Sequence, residues 1–353
     1  MTQKKNQAFC GVPLFAAANS GKGFISLFDD IFSRAGIERR YIIKGGPGTG
    51  KSSFLKRIAK DAEGKGFCVE YYRCSSDSDS LDGIVVDGRI ALLDGTAPHT
   101  VDTELPGVRD EIVNLGSFWD ADALKARRRE ISLLGEEKSA AYRRAYRFLG
   151  ACDDLYFVNR DLVLPAVKHE KISRAVARIL REIPDGEDFS LLPGLVDSVG
   201  IRGRVRFDSY ERVAKTCYVI EDYYDTGALF LRALITAGMR KECAMRVSYN
   251  PIHIGEPDAV YFCDTDVCFV LLCEGTDAEN VISMKRLVDS GRLRDVRGKV
   301  RVQKRLYDSL LQSACDAFAE AGAYHMAIEE IYGACMDFDA EARFTRSFCQ
   351  KIV

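Results

Sequence analysis

The pattern of apolar and polar residues predicts alternating strands and helices in the first third of the chain. An apolar run at 41–43 precedes a glycine-rich segment, which is followed by an amphipathic segment at 53–59. Further apolar runs at 67–72 and 90–93 predict a second and a third strand, the third of which ends at Asp94. We expect an α/β fold with a mostly parallel sheet and crossover helices.

The pattern changes after this region. Residues from about 120 to 181 are charged and alanine-rich, contain little glycine and place apolar residues at helical spacing. This segment predicts a long helical arm.

The order of these features then recurs, which predicts an internal duplication. Four later segments resemble earlier ones in the same order, displaced by 176 to 180 residues: 218–220 resembles 41–43, 230–232 resembles 54–56, 258–260 resembles 82–84, and 272–276 resembles 92–96. We therefore predict a first core at 8–119, a helical arm at 120–190, a second core at 200–290 and a second helical arm at 291–353.

The glycine-rich segment has the sequence of a phosphate-binding loop (Walker A motif). The pattern Gly-x-x-x-x-Gly-Lys-Ser is complete from Gly45 to Ser52, and it lies between an expected strand and an expected helix, as this motif requires. Backbone N–H groups of such a loop surround phosphate, while Lys51 reaches the β- and γ-phosphates and the Ser52 hydroxyl binds Mg²⁺. The expected cofactor-binding residues are Gly45, Gly46, Pro47, Gly48, Thr49, Gly50, Lys51, Ser52 and Ser53.

The second half lacks this loop. The corresponding segment, 221–228, contains no lysine, few glycines and three carboxylates, at Glu221, Asp222 and Asp225, which repel phosphate. We expect one competent nucleotide site per chain.

Several segments together resemble a known family. They are 23–29, 41–53, 74–83, 91–99 and 111–120, which include most of the distinctive residues between 8 and 120. On these stretches the chain resembles a largely uncharacterised family of bacterial P-loop ATPase-like proteins built from two tandem halves. The resemblance implies a P-loop fold and ATP binding but no defined reaction, and fuller members of the family carry a working phosphate loop in both halves.

Asp94 is the expected carboxylate for Mg²⁺. It ends an apolar strand, which is where P-loop proteins place the aspartate that holds Mg²⁺ through its water shell. The alternative is an aspartate that only caps the following turn. With Ser52, Asp94 completes the predicted metal site.

Three further aspartates, Asp77, Asp79 and Asp82, follow the second expected strand. They are predicted to project from the carboxyl edge of the sheet, where one of them orients a water or accepts a proton. Asp77 and Asp79 are the candidate catalytic residues beside Lys51. Because Asp77-Ser78-Asp79 also resembles the Asp-x-Asp element of shikimate-type kinases, a small-molecule kinase is an alternative function.

Other residues have both structural and functional interpretations. His99 is close enough in sequence to Asp94 to act near the γ-phosphate, or it is fixed in a turn. Trp119, the only tryptophan, is expected to anchor the helical arm. The basic runs at 127–129 and 292–305 predict an arginine finger, a nucleic-acid surface or a solvated helix face, and they lack the interleaved aromatic residues that stack on bases.

Composition narrows the class of protein. Fifty Lys and Arg oppose 52 Asp and Glu, so the formal charge of −2 shows no general bias toward nucleic acid or anionic lipid. There is no run long enough for a membrane helix and no signal-peptide pattern, which predicts a cytoplasmic protein. Its 12 cysteines are expected to be reduced core residues, with a metal site at Cys263, Cys268 and Cys273 as the alternative.

The sequence therefore predicts a protein that binds ATP and Mg²⁺, with ATP favoured over GTP because no guanine-reading motif follows the loop. The expected activity is slow ATP hydrolysis by a switch or motor component. The alternatives are the small-molecule kinase and a nucleotide-sensing scaffold that does not hydrolyse ATP.

Overall fold

The apolar runs of the sequence form the central strands of two six-stranded sheets. The structure is a computed structural model that describes residues 7–272 and 279–352. The first unit contains β1 (Pro13–Phe15), β2 (Ala17–Ser20), β3 (Gly23–Ser26), α1 (Phe28–Phe32), β4 (Arg39–Lys44), α2 (Lys51–Gly64), β5 (Val69–Arg73), β6 (Leu81–Val86), β7 (Ile90–Asp94) and β8 (Asp110–Asn114).

The first sheet has the strand order β1-β5-β6-β7-β4-β8, and β2 pairs with β3 in a separate hairpin. Strand β6 is antiparallel to both of its neighbours, whereas the other pairings within the sheet are parallel. The mostly parallel sheet is confirmed, but the sequence analysis did not predict β6. Asp82 lies within this buried strand rather than after a strand, but the antiparallel direction of β6 places it at the same edge of the sheet as Asp94.

The second unit repeats this plan. It contains β9 (Ser190–Pro193), β10 (Asp197–Gly200), β11 (Gly203–Arg206), α6 (Ser209–Val213), β12 (Thr216–Glu221), α7 (Gly227–Arg240), β13 (Ala244–Tyr249), β14 (Pro257–Phe262), β15 (Val267–Leu271) and β16 (Asn280–Ser283). Its sheet order, β9-β13-β14-β15-β12-β16, is that of the first sheet strand for strand. The duplicated α/β fold is thereby confirmed.

Strand pairing corrects one of the predicted matches between the halves. Asp94 lies opposite Ile43, and Leu271 lies opposite Ile220, which is the counterpart of Ile43. Leu271 therefore takes the position of Asp94 at a displacement of 177 residues, and the match of 92–96 to 272–276 is out of register. Most of that second segment, 273–276, lies outside the described residues.

The two sheets share a core. One face of each contributes to a common apolar cluster that includes Ile42 and Tyr72 from the first unit and Val219 and Tyr261 from the second. Helix α2 covers the outer face of the first sheet, and α7 covers that of the second. The molecule is thus layered as helix, sheet, sheet and helix.

Each unit continues into a helical arm. The first arm comprises α3 (Ala121–Ala126), α4 (Arg128–Val163) and α5 (His169–Ile179), and the second comprises α8 (Ser290–Arg294), α9 (Arg297–Gly333) and α10 (Phe338–Ile352). Short 3-10 helices lie at Gln7–Phe9, Leu115–Phe118, Leu164–Ala166 and Met284–Leu287.

The arms exchange their ends. Helices α4 and α9 pack along each other, after which α5 packs against α7 of the second unit and α10 packs against α2 of the first. Main-chain hydrogen bonds fix each crossing, such as Asp120 N–H to the Cys335 carbonyl at 2.7 Å and Asp289 N–H to the Ala166 carbonyl at 2.8 Å. Each sheet is therefore covered in part by the arm of the other half.

Two cysteines are not free thiols. Cys10 and Cys68 form a disulfide, so the expectation that every cysteine is reduced is wrong for this pair. The physical reason is proximity, since the Gly11 N–H donates to the Val69 carbonyl and brings the two Cα atoms within 5.3 Å. The other cysteines of the described ranges are free, and Cys273 lies outside those ranges.

No helix within residues 7–272 and 279–352 combines the length and the hydrophobicity that crossing a bilayer would require.

Candidate functional site

The glycine-rich segment forms a tight loop between β4 and α2, at the carboxyl end of the first sheet. Gly48 and Gly50 have φ angles of 71° and 83°, which side chains other than glycine rarely adopt. Helix α2 begins at Lys51, and its first N–H groups are directed into the loop. The backbone therefore passes from strand to helix through a tight turn that depends on these glycines.

Lys51 lies across its own loop. Its Nζ donates to the carbonyl oxygens of Gly45 and Gly46 at 3.0 and 2.9 Å and lies 3.6 Å from Asp94 Oδ2. The lysine is mostly buried, so this charge is held at the loop rather than in solvent.

The two predicted metal ligands lie at this end of the sheet. Asp94 ends β7 beside β4, and its Oδ1 accepts hydrogen bonds from the Thr96 N–H and hydroxyl. Burial raises the pKa of Asp94, and Lys51 and Thr96 only partly oppose that rise. Ser52 Oγ accepts a hydrogen bond from the Leu81 N–H at 3.0 Å.

Asp77 and Asp79 are engaged elsewhere. Both contact Arg202, in the turn between β10 and β11, at 2.8 and 2.6 Å. Burial alone would raise the pKa of Asp77, but hydrogen bonds from Arg202 and Ser80 lower it. These two carboxylates connect the first unit to the second.

Asp82 and His99 form a pair that the sequence analysis did not predict. His99 Nε2 lies 3.2 Å from Asp82 Oδ2, and both side chains are buried. Burial alone would lower the pKa of His99, but the charge of Asp82, to which that of Asp94 adds, raises it. His99 is therefore electrostatically linked to Asp94 and Lys51 as well as fixed in a turn.

The second arm covers the phosphate loop. Gly48 lies against Glu329, near the end of α9, and hydrogen bonding from His325, to which the Gly48 N–H and the charge of Lys51 add, lowers the pKa of Glu329. A Cβ at Gly48 would collide with the main-chain carbonyl of Glu329. The loop thus contacts the backbone of α9 directly.

Aromatic residues complete this contact. A Cβ at Gly46 would lie 3.0 Å from the ring of Tyr332, which packs against Trp119 with ring centroids 5.8 Å apart. Trp119 joins the second arm to the loop. The sequence pattern did not indicate that Glu329 and Tyr332 contact this loop, because only the crossing of the arms brings them to it.

In the second unit, the side chain of Asp222 accepts hydrogen bonds from the corresponding loop, which is called the filled loop below. Asp222 accepts hydrogen bonds from the Gly227 N–H at 2.6 Å and from the Asp225 N–H at 3.1 Å, and the N–H groups of Tyr223 and Thr226 also point to it. The carboxylate of Asp222 is therefore the acceptor for N–H groups of this loop.

A cavity of about 200 Å³ lies beside this filled loop. Its walls carry charges of both signs, including Asp225, Asp258, Arg204 and Lys304. Burial raises the pKa values of Asp225 and Asp258 to about 6.

The basic run at 292–305 lies in this second unit. Arg292 donates to the Pro165 carbonyl at 2.9 Å, and Arg297 donates to the Tyr224 hydroxyl at 3.2 Å. The hypothesis that these arginines reach the nucleotide of the first half is wrong, because the arm begins beside the filled loop and reaches the phosphate loop only at its far end.

Comparisons of the chain with protein-family models, with curated proteins and with solved structures found no match.

Proposed function

We propose that the first unit binds ATP with Mg²⁺ at residues 45–53 and hydrolyses it slowly as a nucleotide-dependent switch. The observation that carries this proposal is the loop itself. Positive φ angles at Gly48 and Gly50 and the start of α2 at Lys51 direct main-chain N–H groups inward. The family resemblance of the sequence supports the same proposal.

The residues of the loop fit a bound polyphosphate. The absence of side chains at Gly46 and Gly48 lets the second arm pack against the loop, and Lys51 is held at the loop by carbonyl oxygens, which are weaker partners than phosphate. Ser52 and Asp94 supply the oxygen ligands that Mg²⁺ prefers. When bound, Mg²⁺ supplies positive charge to the phosphates and to a water in its shell.

The Asp82–His99 pair is a further candidate for orienting a water. Its position beside Asp94 and Lys51 supports this role, and the pairing of Asp77 and Asp79 with Arg202 makes these two less suitable. The same pairing counts against the small-molecule kinase, which requires those carboxylates for its acceptor hydroxyl.

The contact between α9 and the loop supports a switch. The main chain of Glu329 packs against Gly48, so a nucleotide bound at the loop would alter the contact between loop and arm. Because α9 continues along α4 to the second unit, a displacement at Glu329 is transmitted to the other half.

Nucleotide titration tests this proposal. We expect about one Mg·ATP per chain by calorimetry, and we expect Lys51→Ala to weaken binding by at least about tenfold, because a cation on the phosphates is lost. Lys56→Ala is the matched control, since Lys56 is exposed on the same helix and bonds the Asp79 carbonyl.

Phosphate release without added substrate then distinguishes the functions. Slow release that Lys51→Ala abolishes supports the ATPase, whereas binding without turnover supports the sensing scaffold. Unchanged affinity in Lys51→Ala, or two equivalent sites per chain, would refute the assignment.

A further inference from the structure

Three side chains with metal-ligand chemistry meet behind the phosphate loop. Cys74 follows β5, Asp82 lies on β6, and His99 lies in the segment after β7. One ligand atom from each lies within 4.8 Å of the other two. Thiol, carboxylate and imidazole thus share one small volume, although they come from three separate segments.

The contact between two of these ligands is not a hydrogen bond. His99 Nε2 and Asp82 Oδ2 are 3.2 Å apart, yet Asp82 Oδ2 has no hydrogen-bond partner in the part of the chain that the structure describes, and neither has His99 Nδ1. Both side chains are more than nine-tenths buried. Buried polar atoms without partners are costly, and an ion held by Asp82 Oδ2 and His99 Nε2 would give the carboxylate oxygen a partner.

Aromatic packing fixes the orientation of the imidazole. The His99 ring stacks on Phe28 with centroids 4.4 Å apart, and Phe24 meets it edge-on at 4.7 Å. Because the ring is held on two sides, its Nε2 keeps a constant direction toward Asp82. This rigidity is typical of a built ligand site.

The second unit lacks the thiol at the position that corresponds to Cys74. Cys74 N–H bonds the Ser80 carbonyl, and Asn250 N–H bonds the Glu256 carbonyl in the same position of the repeat. Asn250 therefore replaces Cys74, while Asp258 keeps the position of Asp82. The thiol is confined to the unit that carries the phosphate loop.

The donor set indicates which ion fits. Sulfur, nitrogen and oxygen ligands together suit Zn²⁺, whereas Mg²⁺ takes oxygen ligands almost alone. Three protein ligands around Zn²⁺ leave one position for a non-protein ligand such as water. The charge of the ion would be balanced by Asp82 and the Cys74 thiolate.

We propose that Cys74, Asp82 and His99 form a site for one zinc-type divalent cation, separate from the Mg²⁺ of the nucleotide. On binding, the Cys74 sulfur forms a bond to the ion, and its thiol proton passes to solvent. No redox change occurs. The site places a second cation beside Asp94 and Lys51, which already act electrostatically on His99.

Direct metal binding tests this site on the full chain. Chain stripped with chelator and kept under a phosphine reductant is titrated with Zn²⁺ and, separately, with Co²⁺. We expect about one ion per chain and a thiolate-to-cobalt charge-transfer absorption. Cys74→Ser should abolish that absorption, and Cys74→Ser and His99→Gln should each weaken Zn²⁺ binding by at least about tenfold.

Matched variants control for the other thiols and imidazoles. Cys349→Ser and His325→Gln remove a half-buried thiol and a half-exposed imidazole and should leave the stoichiometry and absorption unchanged. Lys51→Ala should also retain the ion, which separates this site from nucleotide binding. Failure of the wild-type chain to bind about one ion, or a cobalt spectrum that Cys74→Ser does not alter, overturns the proposal without recourse to activity.

Discussion

Glu70 and Arg246 occupy equivalent positions in the two halves and form an ion pair, with 2.9 Å between Glu70 Oε2 and Arg246 Nη2. The strand registers establish the equivalence, since β5 pairs with β6 as β13 pairs with β14, displaced by 176 residues. Arg34 and the Tyr72 hydroxyl also bind Glu70. If the two halves were identical, two residues of the same type and charge would face each other at this position. The Glu70–Arg246 pair is therefore possible only because the halves have diverged.

Removal of one partner should destabilise the whole molecule. We expect Arg246→Met to lower the free energy of unfolding by about 3–5 kcal/mol, because it leaves Glu70 buried with one fewer cation. Denaturant unfolding measures the loss. Arg89→Met, which breaks the exposed pair with Glu38, is the control and should change stability little.

The same carboxylate predicts a pH dependence. Burial alone would raise the pKa of Glu70, but Arg246 and Arg34 lower it to about 2. Since the folded pKa lies below the unfolded value, the contribution of Glu70 is present above about pH 4.5 and is lost as pH falls toward 2. Glu70→Gln should therefore reduce the loss of thermal stability across that window, and an unchanged acid profile would contradict this assignment.

Asp94 should matter more for turnover than for binding. Asp94→Asn removes the charge that supports Mg²⁺ while preserving the size of the side chain, so we expect phosphate release to fall by about 100-fold and ATP affinity by less than about tenfold. Asp102→Asn, at an exposed position in the following loop, is the control. Wild-type hydrolysis by Asp94→Asn would transfer the metal role to another carboxylate.

Glu329 should compete with nucleotide. Glu329→Gln removes a carboxylate charge beside Gly48 that would repel phosphate, so we expect ATP affinity to rise by about threefold to tenfold. Calorimetric titration measures the change. The neighbouring Glu330→Gln is the matched control, because Glu330 is exposed. A weaker affinity in Glu329→Gln would indicate that this carboxylate supports the bound nucleotide instead.

How much the sequence predicted depends on how local each feature is. The glycine-rich turn at 45–50 and β4 follow from contiguous residues, because glycine conformation and strand hydrophobicity are local properties. Strand β6 was missed because Asp82 and its neighbours resemble a polar loop, although the strand is buried on both faces.

Contacts between distant segments could not be predicted in this way. Glu329 reaches Gly48, and Glu70 reaches Arg246, only because the arms cross and the sheets pack face to face. The predicted repeat indicated that two such halves exist but contained no information on which faces meet. Asp222 was predicted to repel phosphate, and the structure adds that its carboxylate accepts N–H groups of its own loop.

The filled loop gives the last prediction, which compares two neighbouring aspartates. Asp222 accepts N–H groups from its own loop, so Asp222→Asn places an amide NH₂ against those donors and should destabilise the chain by about 1–3 kcal/mol. It should not create a second nucleotide site, since 221–228 contains no lysine. Thermal unfolding and calorimetric titration with ATP measure the two effects.

Asp225 should behave in the opposite way. Burial and the charge of Asp222 raise the pKa of Asp225 to about 6, so its folded pKa lies above the unfolded value. Ionisation of Asp225 therefore costs stability as pH rises through about 4 to 6. Asp225→Asn removes that cost and should raise the unfolding temperature at pH 8 while changing it little at pH 4. If Asp222→Asn and Asp225→Asn destabilised the chain equally at pH 8, Asp222 would have no special role as the acceptor of the loop N–H groups. The missing lysine in 221–228 would then be the only reason we assign for a lack of phosphate binding in the second half.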